Sequence, residues 1–178
     1  MYQGVIMAGF GGQGVVSGGI LMAYSGMMDN KHVTFFPAYG AEMRGGTANC
    51  SVVISTEEIA SPVVSFPDSI LVMNEPSLAK FEPKLRKGGL MFLNSTLVES
   101  RSKRGDIETL EIPANDIAAE LGNVKCANMV MIGAYIEKTG AISIEMVKKS
   151  LGKVYVRANE KILEMNRKAI DRGAALIK

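Results

Sequence analysis

A glycine-rich turn near the start of the chain constrains the fold more than any other feature. An apolar segment over residues 4–8 precedes this turn, and a helical pattern over residues 13–28 follows it. Between them, three glycines have the spacing G-x-G-x-x-G: Gly9, Gly11 and Gly14. Such a turn joins a strand to a helix and brings backbone N–H groups close to an anion at the positive helix end. The sequence therefore predicts a Rossmann-like first strand, turn and helix, with four candidate ligand-binding residues: Gly11, Gly12, Gln13 and Gly14.

Strand and helix patterns alternate along the rest of the chain. The predicted strands cover residues 4–8, 32–36, 48–55, 69–73, 90–93 and 107–112, and Pro37 is expected to end the second one. The predicted helices cover residues 13–28, Pro76 to the Gly88-Gly89 pair, 113–121, 126–138, 143–151 and 158–175. This alternation predicts a single domain over residues 1–178 with an α/β fold, in which helices and a mostly parallel sheet form three layers.

The glycine turn is open to three interpretations. An NAD site of the Rossmann type needs an acidic residue about 20 residues further on, at the end of the second strand. That strand ends in Phe35-Phe36-Pro37 and Asp29 precedes it, so a standard NAD site is not expected. The other two interpretations are a turn that only packs a helix onto the sheet, and a site where an anion or a cofactor tail docks. Gln13 could add a side-chain amide to such a site.

A second glycine-rich segment, residues 38–46, carries one acidic and one basic side chain, Glu42 and Arg44. Arg44 could bind a carboxylate or phosphate through two parallel hydrogen bonds. Alternatively, Glu42 and Arg44 pair with each other to order the loop, or bridge to another subunit. Because this loop and the glycine turn both follow strands, we expect them to meet at the carboxyl edge of the sheet, where such folds place ligands.

Composition argues against several classes of function. The formal net charge of +2 is too small to indicate nucleic-acid binding. No apolar run reaches the roughly 18 residues that cross a bilayer, and the first residues lack a signal-peptide pattern, so we expect a cytoplasmic protein without membrane contact. The two cysteines, Cys50 and Cys126, are too few for an iron–sulfur cluster, which needs about four thiolates. The single histidine excludes a multi-histidine metal site.

Motifs for independent catalysis are also missing from the sequence. It contains no G-x-S-x-G nucleophile elbow, no Walker lysine and no evident acid–base pair. We therefore predict no catalytic and no metal-binding residue in this chain. The residues alone favour a binding or assembly subunit over a self-sufficient enzyme.

The motifs together resemble the gamma subunit of 2-oxoacid:ferredoxin oxidoreductases over nearly the whole chain. They are the segments 9–14, 39–46, 51–55 and 59–62, followed by Ala127-Asn128-Met129 and Ile132-Gly133-Ala134. The form Ala41-Glu42-Met43-Arg44-Gly45-Gly46-Thr47 is most similar to the 2-oxoglutarate type.

The resemblance implies a role in converting a 2-oxoacid and coenzyme A to acyl-CoA and CO2, with ferredoxin as electron acceptor. It implies alpha and beta partner subunits that hold thiamine diphosphate and magnesium, a ferredoxin-like subunit with iron–sulfur clusters, and an isolated chain that is inactive. Coenzyme A is the one cofactor that this chain is expected to contact. Gly11, Gly12, Gln13 and Gly14 would face its diphosphate. Glu42 and Arg44 are the other two candidate cofactor-binding residues and would lie near the interface with the catalytic subunits.

Two other functions stay open at this point. One is a stand-alone nucleotide-binding or regulatory module, and the other is a purely structural scaffold in which the motifs serve packing and subunit contact. The 12 methionines also suggest that the isolated chain can form a homodimer.

Overall fold

One six-stranded sheet organises the molecule. The computed structural model describes residues 1–39 and 46–177. The strands are β1 (Tyr2–Phe10), β2 (His32–Tyr39), β3 (Thr47–Ser55), β4 (Ser69–Val72), β5 (Leu90–Asn94) and β6 (Glu108–Ile112), in the spatial order β2-β3-β1-β4-β5-β6. β1, β4, β5 and β6 pair in parallel, whereas β3 runs antiparallel to both β1 and β2. The predicted α/β fold with a mostly parallel sheet is confirmed.

The second strand is longer than the sequence analysis predicted. β2 passes through Pro37, which lies opposite Cys50 of β3, and ends at Tyr39. Because β2 lies at the edge of the sheet, one side of it has no strand neighbour among the described residues, and a proline without an amide hydrogen fits there. The prediction that Pro37 ends the strand is therefore wrong.

Helices cover both faces of the sheet, which gives the predicted three layers. They are α1 (Val15–Met28), α2 (Glu75–Phe81), α3 (Ala114–Glu120), α4 (Ala127–Thr139), α5 (Ile144–Val154) and α6 (Glu160–Ala175). Successive side chains of a strand point to opposite faces. Val5 and Met7 of β1 accordingly join the larger core, formed with α1, α3, α4, α5 and α6, while Ile6 and Ala8 join the smaller core beneath α2.

The helix α4 lies at the centre of the larger core. Every residue from Ala127 to Ile136 is buried, and α4 packs closely against α6. At the crossing, a Cβ added at Gly133 or Gly173 would collide with the backbone carbonyl of Ile170 or Val130. The two helices are therefore in backbone contact. Although α4 is apolar, no helix in the described residues is both long enough and apolar enough to cross a membrane.

The helix α2 is shorter than predicted. It begins after Asn74, whose side-chain oxygen accepts a hydrogen bond from the Ser77 amide, and its α-helical part ends at Phe81. A 3-10 turn over Glu82–Lys84 follows, and Pro83 lies within it. Because Pro83 has no amide hydrogen and restricts the residue before it, the α-helix ends there and not at the Gly88-Gly89 pair.

Candidate functional site

The glycine turn lies at the carboxyl edge of the sheet, between the end of β1 at Phe10 and the start of α1 at Val15. Gly12 has φ = 98° and Gly14 has φ = 71°, both in the left-handed region. Residues with a Cβ rarely adopt this conformation, so these two positions explain why the turn needs glycine. The predicted strand–turn–helix unit is thus formed as expected.

The N-terminus of α1 has features that favour the binding of an anion. Its N-cap, Gly14, has no side chain to cap the first turn, and that turn contains no acidic residue. The first amides of an α-helix have no intrahelical partner, and the helix dipole places partial positive charge there. This end of α1 can therefore stabilise negative charge.

Gln13 ties the turn to two neighbouring strands. Its Oε1 accepts a hydrogen bond from the Phe10 amide at 2.7 Å, and its Nε2 donates to the Met73 carbonyl at 3.1 Å, just beyond β4. Both polar atoms of the side chain are thus engaged within the protein. The structure gives Gln13 a role in shaping the turn.

The side chain of Asn128 also holds the glycine turn, through a hydrogen bond to its last residue. Its Nδ2 donates to the Gly14 carbonyl at 3.0 Å, and its Oδ1 accepts from the Met129 amide at 3.0 Å. The same Gly14 carbonyl also accepts from the Ser17 hydroxyl at 3.1 Å and the Gly18 amide at 2.8 Å. Asn128 is only 3% exposed, so a buried side chain of the central helix fixes the N-terminus of α1.

A cavity of about 150 Å³ opens beside the turn. Its walls come from the turn, from the end of β4, from α3 and from the start of α4: Gly12, Gln13, Met73, Asn115, Val124, Lys125 and Ala127. The cavity lies outside the carboxyl ends of parallel strands, which is where open α/β sheets bind ligands. Spacing in the sequence did not predict Asn115 or Lys125, because tertiary contacts bring them to the turn.

The polar groups of the cavity favour an anion. Lys125 is exposed and forms no ion pair with any of the described residues, and none of the residues that line the cavity is acidic. Asn94, which is fully buried at the end of β5, donates from Nδ2 to the Asn115 Oδ1 at 2.9 Å. That hydrogen bond occupies the carboxamide oxygen of Asn115 and leaves its NH2 group as a donor.

The second predicted constellation falls mostly outside the described residues. Glu42 and Arg44 both lie in the segment 40–45, which the structure does not describe. Gly46, the next residue, accepts a hydrogen bond at its carbonyl from the Gly11 amide at 3.0 Å. The end of the second glycine-rich segment therefore touches the glycine turn.

Two carboxylates near strand ends are engaged in structural contacts. Asp68 accepts from the Gly4 amide at 2.6 Å and pairs with Arg86 at 2.8 Å. Glu75 accepts from the Glu99 amide at 3.0 Å, and hydrogen bonding from Ser100 holds its pKa below the ordinary value. Neither faces the cavity, so neither is positioned to act as an acid or base there.

Comparison with known proteins identifies the family. The model of a family described as pyruvate ferredoxin/flavodoxin oxidoreductase matches residues 4–176. The chain belongs to this family. Within it, the 2-oxoglutarate synthase subunit KorC of Methanothermobacter marburgensis is 34% identical over 158 residues, covering 85% of each chain. The ketoisovalerate oxidoreductase subunit VorA of Methanothermobacter thermautotrophicus is 37% identical over 172 residues, or 96% of this chain. This chain covers only 35% of the length of VorA.

Solved structures of oxoacid oxidoreductases share the fold of this family member. The gamma subunit of a keto/oxoacid ferredoxin oxidoreductase from Geobacter sulfurreducens superposes with a TM-score of 0.86 at 27% identity, covering 99% of this chain and 97% of that one. The 2-oxoglutarate:ferredoxin oxidoreductase from Magnetococcus marinus, solved with 2-oxoglutarate, coenzyme A and succinyl-CoA bound, gives a TM-score of 0.90 at 25% identity, over 99% of this chain and 31% of that one. The resemblance to gamma subunits is confirmed. The expectation of the 2-oxoglutarate type stays a prediction, since relatives named for two substrates match.

Proposed function

We propose that this chain is the gamma-type subunit of a CoA-dependent 2-oxoacid:ferredoxin oxidoreductase, and that it binds part of coenzyme A at the glycine turn. The observation that carries the proposal is the open N-terminus of α1 beside a cavity at the carboxyl edge of the sheet, whose lining among the described residues has one lysine and no acid. Helix N-termini of this kind bind phosphates. The diphosphate of coenzyme A would lie against Gly11, Gly12 and Gly14.

In this proposal the chain binds and orients coenzyme A, and partner subunits carry out the chemistry. Thiamine diphosphate with magnesium and the iron–sulfur clusters, held by the alpha, beta and ferredoxin-like subunits, would supply carbanion stabilisation and electron transfer to ferredoxin. The thiols here do not suit a cluster, because Cys50 is buried in β3 and Cys126 precedes α4 in a 3-10 turn. Within residues 1–39 and 46–177 there is also no cluster of His, Cys, Asp and Glu side chains that could bind a metal ion.

The proposed role of the turn is to position coenzyme A, and its thiol would lie away from the turn. Gln13 and Asn128 hold the backbone of the turn through hydrogen bonds to Phe10, Met73 and Gly14, so its amides are already oriented before the ligand arrives. A preorganised site lowers the entropic cost of binding. Anchoring the polar end of coenzyme A would place its thiol within reach of an acyl group formed in the catalytic subunits. Glu42 and Arg44 are proposed to lie at the interface with those subunits.

We propose 2-oxoglutarate as the substrate of the assembled enzyme. Its support is the form Ala41-Glu42-Met43-Arg44-Gly45-Gly46-Thr47 and the 34% identity to KorC. Ketoisovalerate is the second candidate, supported by the 37% identity to VorA over 96% of this chain. The substrate pocket itself is proposed to lie in the partner subunits.

Anaerobic affinity purification of this chain from its native cells tests the proposed function. The eluate is expected to contain thiamine-binding and iron–sulfur subunits, and to reduce a viologen dye only when both a 2-oxoacid and coenzyme A are added. Rates with 2-oxoglutarate and ketoisovalerate distinguish the two substrates. A single inactive chain that binds a nucleotide alone would support the stand-alone module, and an inactive chain with no ligand affinity would support the scaffold.

A further inference from the structure

We propose that the cavity beside the turn binds a phosphate monoester, and that Lys125 and Asn115 recognise it. This inference rests on the proposed function, in which the ligand is coenzyme A. Coenzyme A carries two phosphate features, a diphosphate and a separate 3′-phosphate on its ribose. The diphosphate is assigned to the turn, and the 3′-phosphate to the cavity.

The size of the cavity fits a single phosphate group. Its volume is about 150 Å³, well above the roughly 10–15 Å³ that one water molecule needs, so a phosphate group can enter it. Pockets that enclose a whole drug-sized ligand measure about 300–1,000 Å³, so we assign only one group of a larger ligand to this cavity.

The charge of the cavity selects an anion. Lys125 brings one positive charge, and no carboxylate lies among the residues that line the walls. Ala127, the first residue of α4, also lies in the wall. The 13-residue α4 has no acidic residue in its first turn and no side-chain cap at Cys126, so its dipole adds to the positive potential of Lys125.

The orientation of Asn115 provides a second donor. Asn94 holds the Asn115 Oδ1 through a hydrogen bond of 2.9 Å, and Asn94 is fully buried in the sheet. With its oxygen occupied, Asn115 offers an NH2 group, and phosphate oxygens are acceptors. A lysine before α4 and a fixed carboxamide on α3 thus provide two donors in the wall of the same cavity.

Coenzyme A and 3′-dephospho-coenzyme A, compared on the assembled enzyme, test the assignment. Lys125→Ala is expected to raise the KM for coenzyme A about tenfold, the size of one charge-assisted hydrogen bond at a partly exposed site. The KM for the dephospho form should rise by clearly less, and Lys125→Arg should restore most of the affinity for coenzyme A. Lys168→Ala, which removes an exposed lysine on α6, is the matched control and should leave both KM values as in the wild type.

Asn115→Asp gives an independent test with an isosteric side chain. The carboxylate can still accept from Asn94, so the fold is preserved, but it replaces the NH2 donor with a negative charge. The KM for coenzyme A should rise by more than tenfold, and the KM for the dephospho form by clearly less.

The outcomes separate this inference from the proposed function. If Lys125→Ala and Asn115→Asp change the KM of both ligands equally, or change neither, the assignment of the 3′-phosphate is overturned while the proposed function stands. If the wild-type complex shows no CoA-dependent oxidation of a 2-oxoacid, the proposed function fails and the assignment fails with it.

Discussion

The side chain of Asn128 donates a hydrogen bond to the carbonyl of Gly14 at 3.0 Å, across 114 residues of sequence. One partner is buried in the central helix α4, and the other is the N-cap of α1. Gly14 has φ = 71°, and its carbonyl accepts this tertiary hydrogen bond in addition to the local ones from Ser17 and Gly18. The conformation of the turn therefore depends on the packing of the core.

Removing the amide of Asn128 should loosen this connection. Asn128→Ala loses the hydrogen bonds to Gly14 and Met129, so the free energy of unfolding should fall by about 1–3 kcal/mol. Ser17→Ala removes a hydrogen bond to the same carbonyl from a less buried side chain and should cost about 0.5–1 kcal/mol. Urea unfolding of the two variants measures the difference. Equal losses would contradict a special role for Asn128.

Gly12 provides a variant of the turn with little effect on packing. A Cβ at Gly12 meets no atom within 4 Å, but φ = 98° imposes backbone strain of about 1–2 kcal/mol. Gly12→Ala should therefore lower the free energy of unfolding by about 1–2 kcal/mol and raise the KM for coenzyme A in the assembled enzyme. Gly105→Ala, with open space and no positive φ, is the control and should change neither quantity. An unchanged KM in Gly12→Ala would argue against a ligand at the turn.

The crossing of α4 and α6 predicts opposite effects for two helical glycines. A Cβ at Gly173 would collide with the Val130 carbonyl, so Gly173→Ala must separate the helices and should cost about 1–3 kcal/mol or more. Gly152 lies in α5, and a Cβ there makes only an ordinary contact of 3.8 Å with Leu163. Gly152→Ala should stabilise the chain by about 0.5–1 kcal/mol. Thermal unfolding of both variants is the measurement, and a stabilised Gly173→Ala variant would show that the crossing is not tight.

The buried thiol of Cys50 predicts a loss of stability at alkaline pH. Burial raises the pKa of Cys50 from its ordinary value of 9.0 to about 12. The folded state therefore keeps the proton that the unfolded state releases, so this contribution to stability is complete below pH 9 and is lost as the pH rises towards 12. Between pH 8 and pH 10 the wild type should lose roughly 1 kcal/mol more than Cys50→Ala. Parallel pH profiles of the two proteins would contradict the buried, protonated thiol.

Local sequence chemistry predicted the turn and most of the strands correctly. The spacing of Gly9, Gly11 and Gly14 after an apolar strand was sufficient to predict the turn. Gly14 has a positive φ, and a Cβ at Gly9 would collide with the side chains of Gln13 and Met73. The predicted ends of β2 and α2 were wrong, in both cases near a proline. The effect of Pro37 depends on whether its strand lies at the edge of the sheet. The α-helical part of α2 ends before Pro83, well ahead of the Gly88-Gly89 pair.

The cavity could not be predicted from spacing in the sequence. Asn115 and Lys125 lie about 100 residues or more from Gly12, and the parallel order of β1, β4, β5 and β6 brings the segments after these strands to one edge. Gln13 was predicted as a candidate ligand contact, and in the structure its amide holds Phe10 and Met73 instead. An amide beside a glycine turn can serve either purpose, and only the three-dimensional partners distinguish them.

Hydrogen–deuterium exchange of the assembled complex, with and without coenzyme A, tests most directly whether this chain holds the ligand. We expect coenzyme A to protect the amides of residues 9–17 and 123–129, which surround the turn and the cavity, and to leave α6 (Glu160–Ala175) unchanged. Protection confined to the partner subunits, with no change at the turn, would contradict the account.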